Sequence, residues 1–117
     1  MLTDAEAERK AFEEQERMRQ HVRDYARKKA RRDVIRQNKA EFLDIAARDR
    51  FERLLCECQK HAHEIACEAG EEAGAKASRT ELGVAAYEVS YIEAYADALP
   101  ALMATALAKY DALNPAA

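Results

Sequence analysis

Residues 1–69 contain neither glycine nor proline, and this absence constrains the fold more than any other feature of the chain. β-Sandwiches, β-barrels and βαβ folds need such turn residues at short intervals. Helix-forming residues dominate the stretch instead, as far as Gly70. The sequence therefore predicts an all-α protein, built as an extended helical bundle or a coiled-coil-like hairpin of three to four helices.

The same stretch is too long for one free-standing helix. At about 1.5 Å per residue it would form a rod of about 100 Å, which the rest of the chain could not cover. Thr3 followed by Glu6 is a capping-box pattern that opens the first helix. Asn38 followed by Glu41 repeats the pattern, so we predict that this long charged region breaks near residue 38, with residues 48–50 as the second candidate.

Glycine and proline return in the C-terminal part of the chain. Gly70 suits the C-terminus of a helix because glycine adopts the left-handed conformation without steric cost. Residues 70–79 are small, polar and non-periodic, and we predict a linker there. A third capping box then opens a helical heptad segment over 80–117. Pro100 is expected either to kink this segment or to divide it, with Asp97 as the cap of a fresh helix.

Two apolar stripes run along the predicted C-terminal helix. One recurs at spacings of three and four residues from Leu82 to Leu113. The other consists of tyrosines four residues apart, about half a turn away. A helix that is apolar on two sides is either buried between two layers or presents one side to a partner. The tyrosines and a second seam along 51–69 give the predicted partner interface: Tyr87, Tyr91, Tyr95, Phe51, Leu55 and Ile65.

The apolar content of the chain consists largely of methyl groups. Alanine occupies 26 positions, whereas leucine, isoleucine, valine and phenylalanine together occupy 20. The free energy of burial grows with apolar area, at about 25 cal/mol per Å², so alanine-rich helices stabilise a core only weakly. We therefore expect a homo-oligomer or a protein partner to complete the core.

A basic segment lies in the first half of a chain whose net charge is −3. Between Arg17 and Lys39, ten basic residues face only Asp24 and Asp33. Like charges four residues apart destabilise an isolated helix by about 0.2–0.5 kcal/mol per pair. Either acidic side chains of the same or a neighbouring chain neutralise this segment, or a polyanion binds across it. The candidate polyanion-binding residues are Arg19, Arg23, Arg27, Lys28, Arg31, Arg32 and Arg36.

Five cysteine and histidine side chains fall between Cys56 and Cys67. On one helix Cys56 and His63 would be about 10.5 Å apart along the axis, too far to share a zinc ion. The pairs His63/Cys67 and Cys58/His61 have chelating spacing, but each needs two further ligands from another chain, so a metal shared between subunits is the alternative. We therefore expect no metal site and no cofactor, with His63 and Cys67 as the nearest approach to a metal-binding pair.

No motif in the sequence indicates catalysis. The chain lacks a glycine-rich phosphate loop, a Gly-x-Ser-x-Gly elbow and a His-Glu-x-x-His motif. Cys67 with His63 is a nucleophile–base pair by helical spacing, but the sequence supplies no third group to orient the histidine. We expect neither an enzyme nor a small-molecule substrate.

The charge and the cysteine pattern of the sequence indicate the cellular compartment in which we expect the protein. The first twenty residues are too charged for a signal peptide, and no apolar run approaches the roughly 20 residues that span a bilayer. Three clustered cysteines do not make the disulfide framework of a secreted protein. The sequence leads us to expect a cytoplasmic or otherwise intracellular protein without membrane contact.

Two functions are compatible with these features. The first is a non-enzymatic helical protein of protein–protein interaction or assembly, such as an adaptor, an inhibitor or a virion-type structural component. The second is a nucleic-acid-binding protein that uses the basic helix over 17–39 and dimerises through its C-terminal heptads.

Overall fold

The computed structural model describes residues 3–77 and 81–113, and their side chains except those of 81–84. Within these ranges the chain is helical almost throughout and contains no strand. The helices are α1 (Asp4–Gln37), α2 (Lys39–Leu43), α3 (Ile45–Ala77) and α4 (Glu81–Leu113). The predicted all-α class, as an elongated bundle of long helices, is confirmed.

Three long helices form the body of the molecule, which measures 69 × 28 × 21 Å. α3 and α4 are antiparallel, because Arg50 hydrogen-bonds Tyr110 near one end while His63 hydrogen-bonds Tyr91 farther along. α1 packs against α4 and makes few close backbone approaches to α3. α4 is therefore the central helix, and a gap between α1 and α3 lies above it.

The core is a narrow stripe of tyrosines and small side chains. Buried positions recur every four residues on α1 and α4 and nearly every four on α3. Because this period is longer than the 3.6 residues of a helical turn, each stripe winds slowly around its helix. The core residues are Ala26, Ala30, Val34, Phe51, Leu55, Cys58, Ala62, Ala66, Tyr87, Tyr91, Tyr95, Leu99 and Met103.

The heptad stripe predicted for the last helix lies only partly in this core. Leu99 and Met103 are completely buried, whereas Val89 is 54% exposed. Tyr87 and Tyr91, on the other stripe, take the buried positions beside it. A tyrosine ring removes far more area from water than a valine or an alanine, so the tyrosine stripe turns inward along this part of α4.

The chain turns at Asn38, which separates α1 from α2 and coincides with the predicted break. Asn38 caps the helix before it: its Nδ2 donates a hydrogen bond to the carbonyl oxygen of Val34 at 2.9 Å, and it gives α2 no side-chain cap. At the start of α1, Thr3 Oγ1 accepts a hydrogen bond from the amide of Glu6 at 3.2 Å, as the capping pattern predicts. Residues 48–50 lie inside α3 and do not break it.

The linker predicted for 70–79 is wrong over residues 70–77, because α3 continues to Ala77. Gly70 is a contact point rather than a helix end. A Cβ placed on it would lie 2.7 Å from Cδ2 of Tyr87. Glycine is required here because α3 passes so close to a ring of α4. Residues 78–79 of the predicted linker lie outside the described residues. So does most of the capping box that was predicted to open the last helix.

Pro100 lies inside α4, which continues through it without a break, so Asp97 does not cap a new helix. Proline has no amide hydrogen, so the carbonyl of Ala96 loses its usual helical partner, at a cost of about 3 kcal/mol. Leu99 and Met103, on either side, are completely buried. Their packing against the rest of the core holds the helix together at this point.

Candidate functional site

A groove runs between α1 and α3, with α4 as its floor. Its volume is about 380 Å³, within the range of roughly 300–1,000 Å³ that ligand pockets occupy. Each wall is one face of a helix, with polar residues spaced i, i+3, i+4 and i+7. The α1 wall has Gln20, Arg23, Asp24 and Arg27, the α3 wall has Cys56, Gln59, Lys60 and His63, and the floor has Tyr91 and Tyr95.

The floor of this α1–α3 groove belongs to a stack of three tyrosine rings. The ring centroids of Tyr87 and Tyr91 are 5.9 Å apart and those of Tyr91 and Tyr95 are 6.0 Å apart. Arg19 on α1 holds its guanidinium 4.5 Å from the centroid of the Tyr87 ring. Arg23 Nη2 donates a hydrogen bond to the Tyr87 hydroxyl at 3.2 Å. Two arginines of α1 therefore fix one end of the stack.

Two buried polar atoms at the groove have no hydrogen-bond partner among the described residues: Nε of Arg23 and the hydroxyl oxygen of Tyr95. Burial raises the pKa of Tyr95, while the charge of Arg27 and the nearby Gln59 amide act in the opposite direction. Gln59 approaches the Tyr95 hydroxyl without completing a hydrogen bond of good geometry. The phenol stays protonated, and an unpaired buried donor of this kind costs about 1–3 kcal/mol.

The charges of the groove are unevenly compensated. Arg27 Nη2 lies 3.3 Å from Asp24 Oδ1, and Lys60 Nζ lies 3.1 Å from Glu57 Oε1. Burial acts to lower the pKa of Arg23, but the hydrogen bond to the Tyr87 hydroxyl and nearby charges raise it overall. Arg23 is thus a permanent cation whose hydrogen bond goes to a neutral group.

A line of polar contacts leads from the groove to Cys67. The Tyr91 hydroxyl lies 2.7 Å from His63 Nδ1, and His63 Nε2 lies 3.5 Å from Sγ of Cys67. Burial raises the pKa of Tyr91, so its hydroxyl keeps its proton. If that hydroxyl donates to Nδ1, Nε2 carries the histidine proton; in the other tautomer Nε2 accepts a hydrogen bond from the thiol. Tyr91 is the orienting group that the sequence did not reveal.

His63 and Cys67 come together as their spacing predicts. Within the part of the chain that the structure describes, however, no three His, Cys, Asp or Glu side chains are placed to hold a metal ion. Cys56 is exposed and Cys58 is buried. Burial raises the pKa of the Cys58 thiol, and Cys58 packs in the core as a small apolar residue.

The basic segment divides between two faces of α1. Arg19 Nη1 lies 3.2 Å from Glu71 Oε1, and Arg31 Nη2 lies 2.7 Å from Glu52 Oε1, so both arginines bridge α1 to α3. Together with Arg23, they are held by groups of the same chain. Internal neutralisation, one of the two predicted alternatives, therefore accounts for Arg19 and Arg31, whereas Arg23 is held by a neutral hydroxyl.

The outer face of α1 carries three further basic candidates, whereas Arg27 lies on the groove wall. Lys28, Arg32 and Arg36 are exposed, and only Arg36 has an ion pair among the described contacts, with Asp33 at 3.9 Å. Tyr25, on the same helix, is 56% exposed. These outward residues form a basic surface with one aromatic ring, which we call the outer basic face.

The predicted partner interface lies mostly inside the molecule. α1 and α3 close over α4 and bury its tyrosine stripe, which is the two-layer alternative rather than the partner-facing one. Ile65 is exposed and keeps its place as a candidate contact residue. The prediction of a partner surface is corrected for the side chains that are at most 1% exposed: Tyr87, Tyr91, Tyr95, Phe51 and Leu55.

Large apolar side chains are exposed instead at the end of the molecule where α2 joins α3. Leu43 is 56% exposed, Ile45 is 89% exposed and Leu113 is 81% exposed. Leu113 belongs to this end because Tyr110, one turn earlier on α4, contacts Arg50 near the start of α3. We call these three side chains the apolar end.

Comparisons of this chain with protein-family models, with curated proteins and with solved structures find no match. None of the described helices combines the length and the apolar character needed to cross a membrane. Function is therefore inferred from the groove, the outer basic face and the apolar end themselves.

The sequence singled out Arg23, Arg27, His63, Tyr91 and Tyr95, but as parts of separate features, and four other residues of the groove were missed. The walls could be read separately, because each follows a helical i, i+3, i+4, i+7 pattern. That the two patterns face each other depends on how α1 and α3 straddle α4, which local spacing does not encode. The residues missed are Gln20, Asp24, Gln59 and Lys60.

Proposed function

We propose that this chain is a non-enzymatic helical protein that works through protein contacts, as an adaptor, an inhibitor or a structural component of an assembly. The observation that carries the proposal is the apolar end, because Leu43, Ile45 and Leu113 are all exposed at the same end of the molecule. Single exposed apolar residues are common, but a group of them at one place is typical of an interaction surface. The contact we propose is self-association of this end with a second copy, or its binding to a protein partner.

The shape of the molecule supports this proposal. A compact monomer of this mass exposes about 6,400 Å², whereas this chain exposes 8362 Å². Its radius of gyration is 18.3 Å, against about 13 Å for a compact chain of the same length. The excess surface is larger than the roughly 800 Å² that each partner buries in a standard interface.

Light scattering over a range of protein concentrations tests self-association. We expect the wild type to exceed the monomer mass as its concentration rises, and Ile45→Glu to remain at the monomer mass. Ile45 is the first residue of α3, where an acidic side chain is favourable to the helix, so this variant should keep its fold.

Val89→Glu is the matched control, because Val89 is also exposed and β-branched but lies on α4 away from the apolar end. It should associate like the wild type. A wild type that stays at the monomer mass at every concentration would contradict self-association and leave a different protein as the partner.

We also propose nucleic-acid binding as the second candidate function, on the strength of the outer basic face. Lys28 and Arg32 are exposed, with no ion pair among the described contacts, and the ring of Tyr25 is exposed on the same helix. Basic groups attract phosphates and aromatic rings stack with bases, so this face has both elements of single-strand binding. Arg19, Arg23 and Arg31 take no part in this version of the proposal, since they are engaged within the molecule.

Binding of a fluorescent single-stranded oligonucleotide at several salt concentrations tests this second function. We expect the logarithm of the affinity to fall steeply with the logarithm of salt, and the triple variant Lys28→Gln, Arg32→Gln, Arg36→Gln to flatten that slope. Arg53→Gln is the control, because Arg53 is an exposed arginine on α3. Equal slopes for the wild type and the triple variant would contradict the proposal.

A further inference from the structure

The α1–α3 groove has the features of a binding site for a small molecule. Its volume of about 380 Å³ is sufficient for a small organic ligand. The floor offers the ring carbons of Tyr91 and Tyr95, and the walls offer polar groups from two different helices. An apolar floor with a few convergent polar groups is the usual composition of a ligand pocket.

The unpaired atoms of the groove define the chemistry of its occupant. Tyr95 is 1% exposed, and within the described part of the chain its hydroxyl has no hydrogen-bond partner. Arg23 Nε is likewise buried and unpaired. Nitrogens of a guanidinium group donate hydrogen bonds and do not accept them, so only an acceptor can satisfy Arg23 Nε. The Tyr95 hydroxyl lines the same groove and, as a protonated phenol, can donate a hydrogen bond to an acceptor of the same ligand.

The charges favour an anionic acceptor over a neutral one. Asp24 pairs with Arg27, and Glu57 pairs with Lys60, while the hydrogen bond of Arg23 goes to the neutral Tyr87 hydroxyl. Arg23 is therefore the cation of the groove that is not paired with a carboxylate among the described contacts. Hydrogen bonds between an arginine and an anion are roughly twice as strong as those between neutral groups.

We propose that the α1–α3 groove binds an oxyanion, a carboxylate or a phosphate, carried by a small organic molecule, with Arg23 Nε and the Tyr95 hydroxyl as its donors. The body of the ligand packs on the rings of Tyr91 and Tyr95. This site is separate from the apolar end and from the outer basic face, so it does not depend on either proposed function. It also departs from the sequence-based expectation that the chain has no small-molecule substrate.

Nuclear magnetic resonance titration of the full chain tests the site with phenyl phosphate, benzoate and benzyl alcohol. We expect at least one of the two anions to shift the amide signals of the groove walls, and the tighter of them identifies the preferred oxyanion. Benzyl alcohol, which has the ring but no charge, should bind at least about tenfold more weakly. Equal binding of the neutral probe would overturn the proposal.

Tyr95→Phe is the decisive variant, because it removes one oxygen atom and leaves the ring in place. We expect it to weaken binding of the preferred anion about tenfold, as the loss of a hydrogen bond to a charged group does. Its melting temperature should be unchanged or higher, since the free protein loses a buried hydroxyl that has no partner. Arg23→Gln should weaken binding further.

The control is Arg53→Gln, which removes an exposed positive charge of α3 outside the groove and should leave the dissociation constant unchanged. Arg23→Gln also loses the contact to Tyr87, so Tyr95→Phe decides the test if that variant does not fold. Unchanged affinity in Tyr95→Phe overturns the proposal. Signals that shift only along residues 28–36 overturn it as well, because they place the anion on the outer basic face.

Discussion

Gly70 sets the distance between α3 and α4 at one point. A Cβ at this position would lie 2.7 Å from Cδ2 and 2.8 Å from Cε2 of Tyr87, which is closer than carbon atoms approach without repulsion. The ring cannot retreat easily, because Tyr91 stacks against it and Arg19 and Arg23 hold it from α1. Glycine is therefore required at position 70, because the Tyr87 ring beside it is held in place by its neighbours.

We predict that Gly70→Ala destabilises the protein by about 1–3 kcal/mol, the usual effect of overpacking a core. At an unconstrained helical position the same change would stabilise it by about 1 kcal/mol, so the sign of the effect is diagnostic. Urea denaturation followed by circular dichroism measures the difference. Glu68→Ala, an exposed position on the same helix, should stay within about 0.5 kcal/mol of the wild type. A more stable Gly70→Ala would mean that the Tyr87 ring can move aside.

At the level of elements, α4 is a helix whose continuity comes from packing. Its sequence contains a residue that usually interrupts helices, yet α4 runs from Glu81 to Leu113. The side chains that flank Pro100, Leu99 and Met103, are buried completely. Burial of these two large side chains stabilises the helix by several kcal/mol. This is enough to offset the cost of leaving the carbonyl of Ala96 without its usual hydrogen-bond partner.

We predict that Pro100→Ala raises the free energy of unfolding by up to about 3 kcal/mol, because the alanine amide can bond the carbonyl of Ala96. Urea denaturation measures the change. Ala101→Gly, at the exposed neighbouring position, should lower the free energy of unfolding by about 1 kcal/mol and shows that the helix responds normally to propensity. A Pro100→Ala variant no more stable than the wild type would contradict this account.

The elements differ in how far the sequence could predict them. The start of α1 at Thr3 could be predicted, because capping depends on side chains within one turn of the boundary. The boundary at Asn38 was predicted from a capping box for the next helix, whereas the Asn38 side chain caps the end of α1 instead. Gly70 was misread because glycine suits both a helix end and a close contact between helices, and only the position of Tyr87 distinguishes them. The sequence likewise left open whether the tyrosine stripe is buried, because burial beneath α1 and exposure to a partner produce the same spacing.

For the whole molecule, the central position of α4 buries three tyrosines almost completely. Tyr87, Tyr91 and Tyr95 are each 1% exposed and lie beneath both outer helices. Burial raises the pKa of all three, and the guanidinium of Arg23 offsets part of the effect at Tyr87. The fold therefore holds three phenols in their neutral form at a pH where an unfolded chain would ionise them.

We predict that the free energy of unfolding falls as the pH rises above about 10. Unfolded tyrosine loses its proton near pH 10. The folded chain keeps these protons, so the unfolded state binds fewer of them and is favoured progressively above that pH. Urea denaturation at several values between about pH 8 and 11 measures the decline, and the absorbance of tyrosinate reports ionisation.

Tyr91→Phe removes one of the three phenols and should make this alkaline decline shallower. The variant also separates the pH effect from a general loss of stability, because it alters the slope against pH and not only the value at neutral pH. A free energy of unfolding that does not change across this interval would contradict the prediction.

Ala26 and Ala30 are the small side chains through which α1 enters the core, with exposures of 2% and 3%. Because only a methyl group stands between the backbone of α1 and the rest of the core at these two positions, Arg23 reaches Tyr87 and Arg31 reaches Glu52. A larger side chain at Ala26 would lift α1 and separate the two walls of the groove without altering any residue that lines it. The side chain at position 26 therefore sets the size of the molecule that fits between α1 and α3, although it would not contact that molecule.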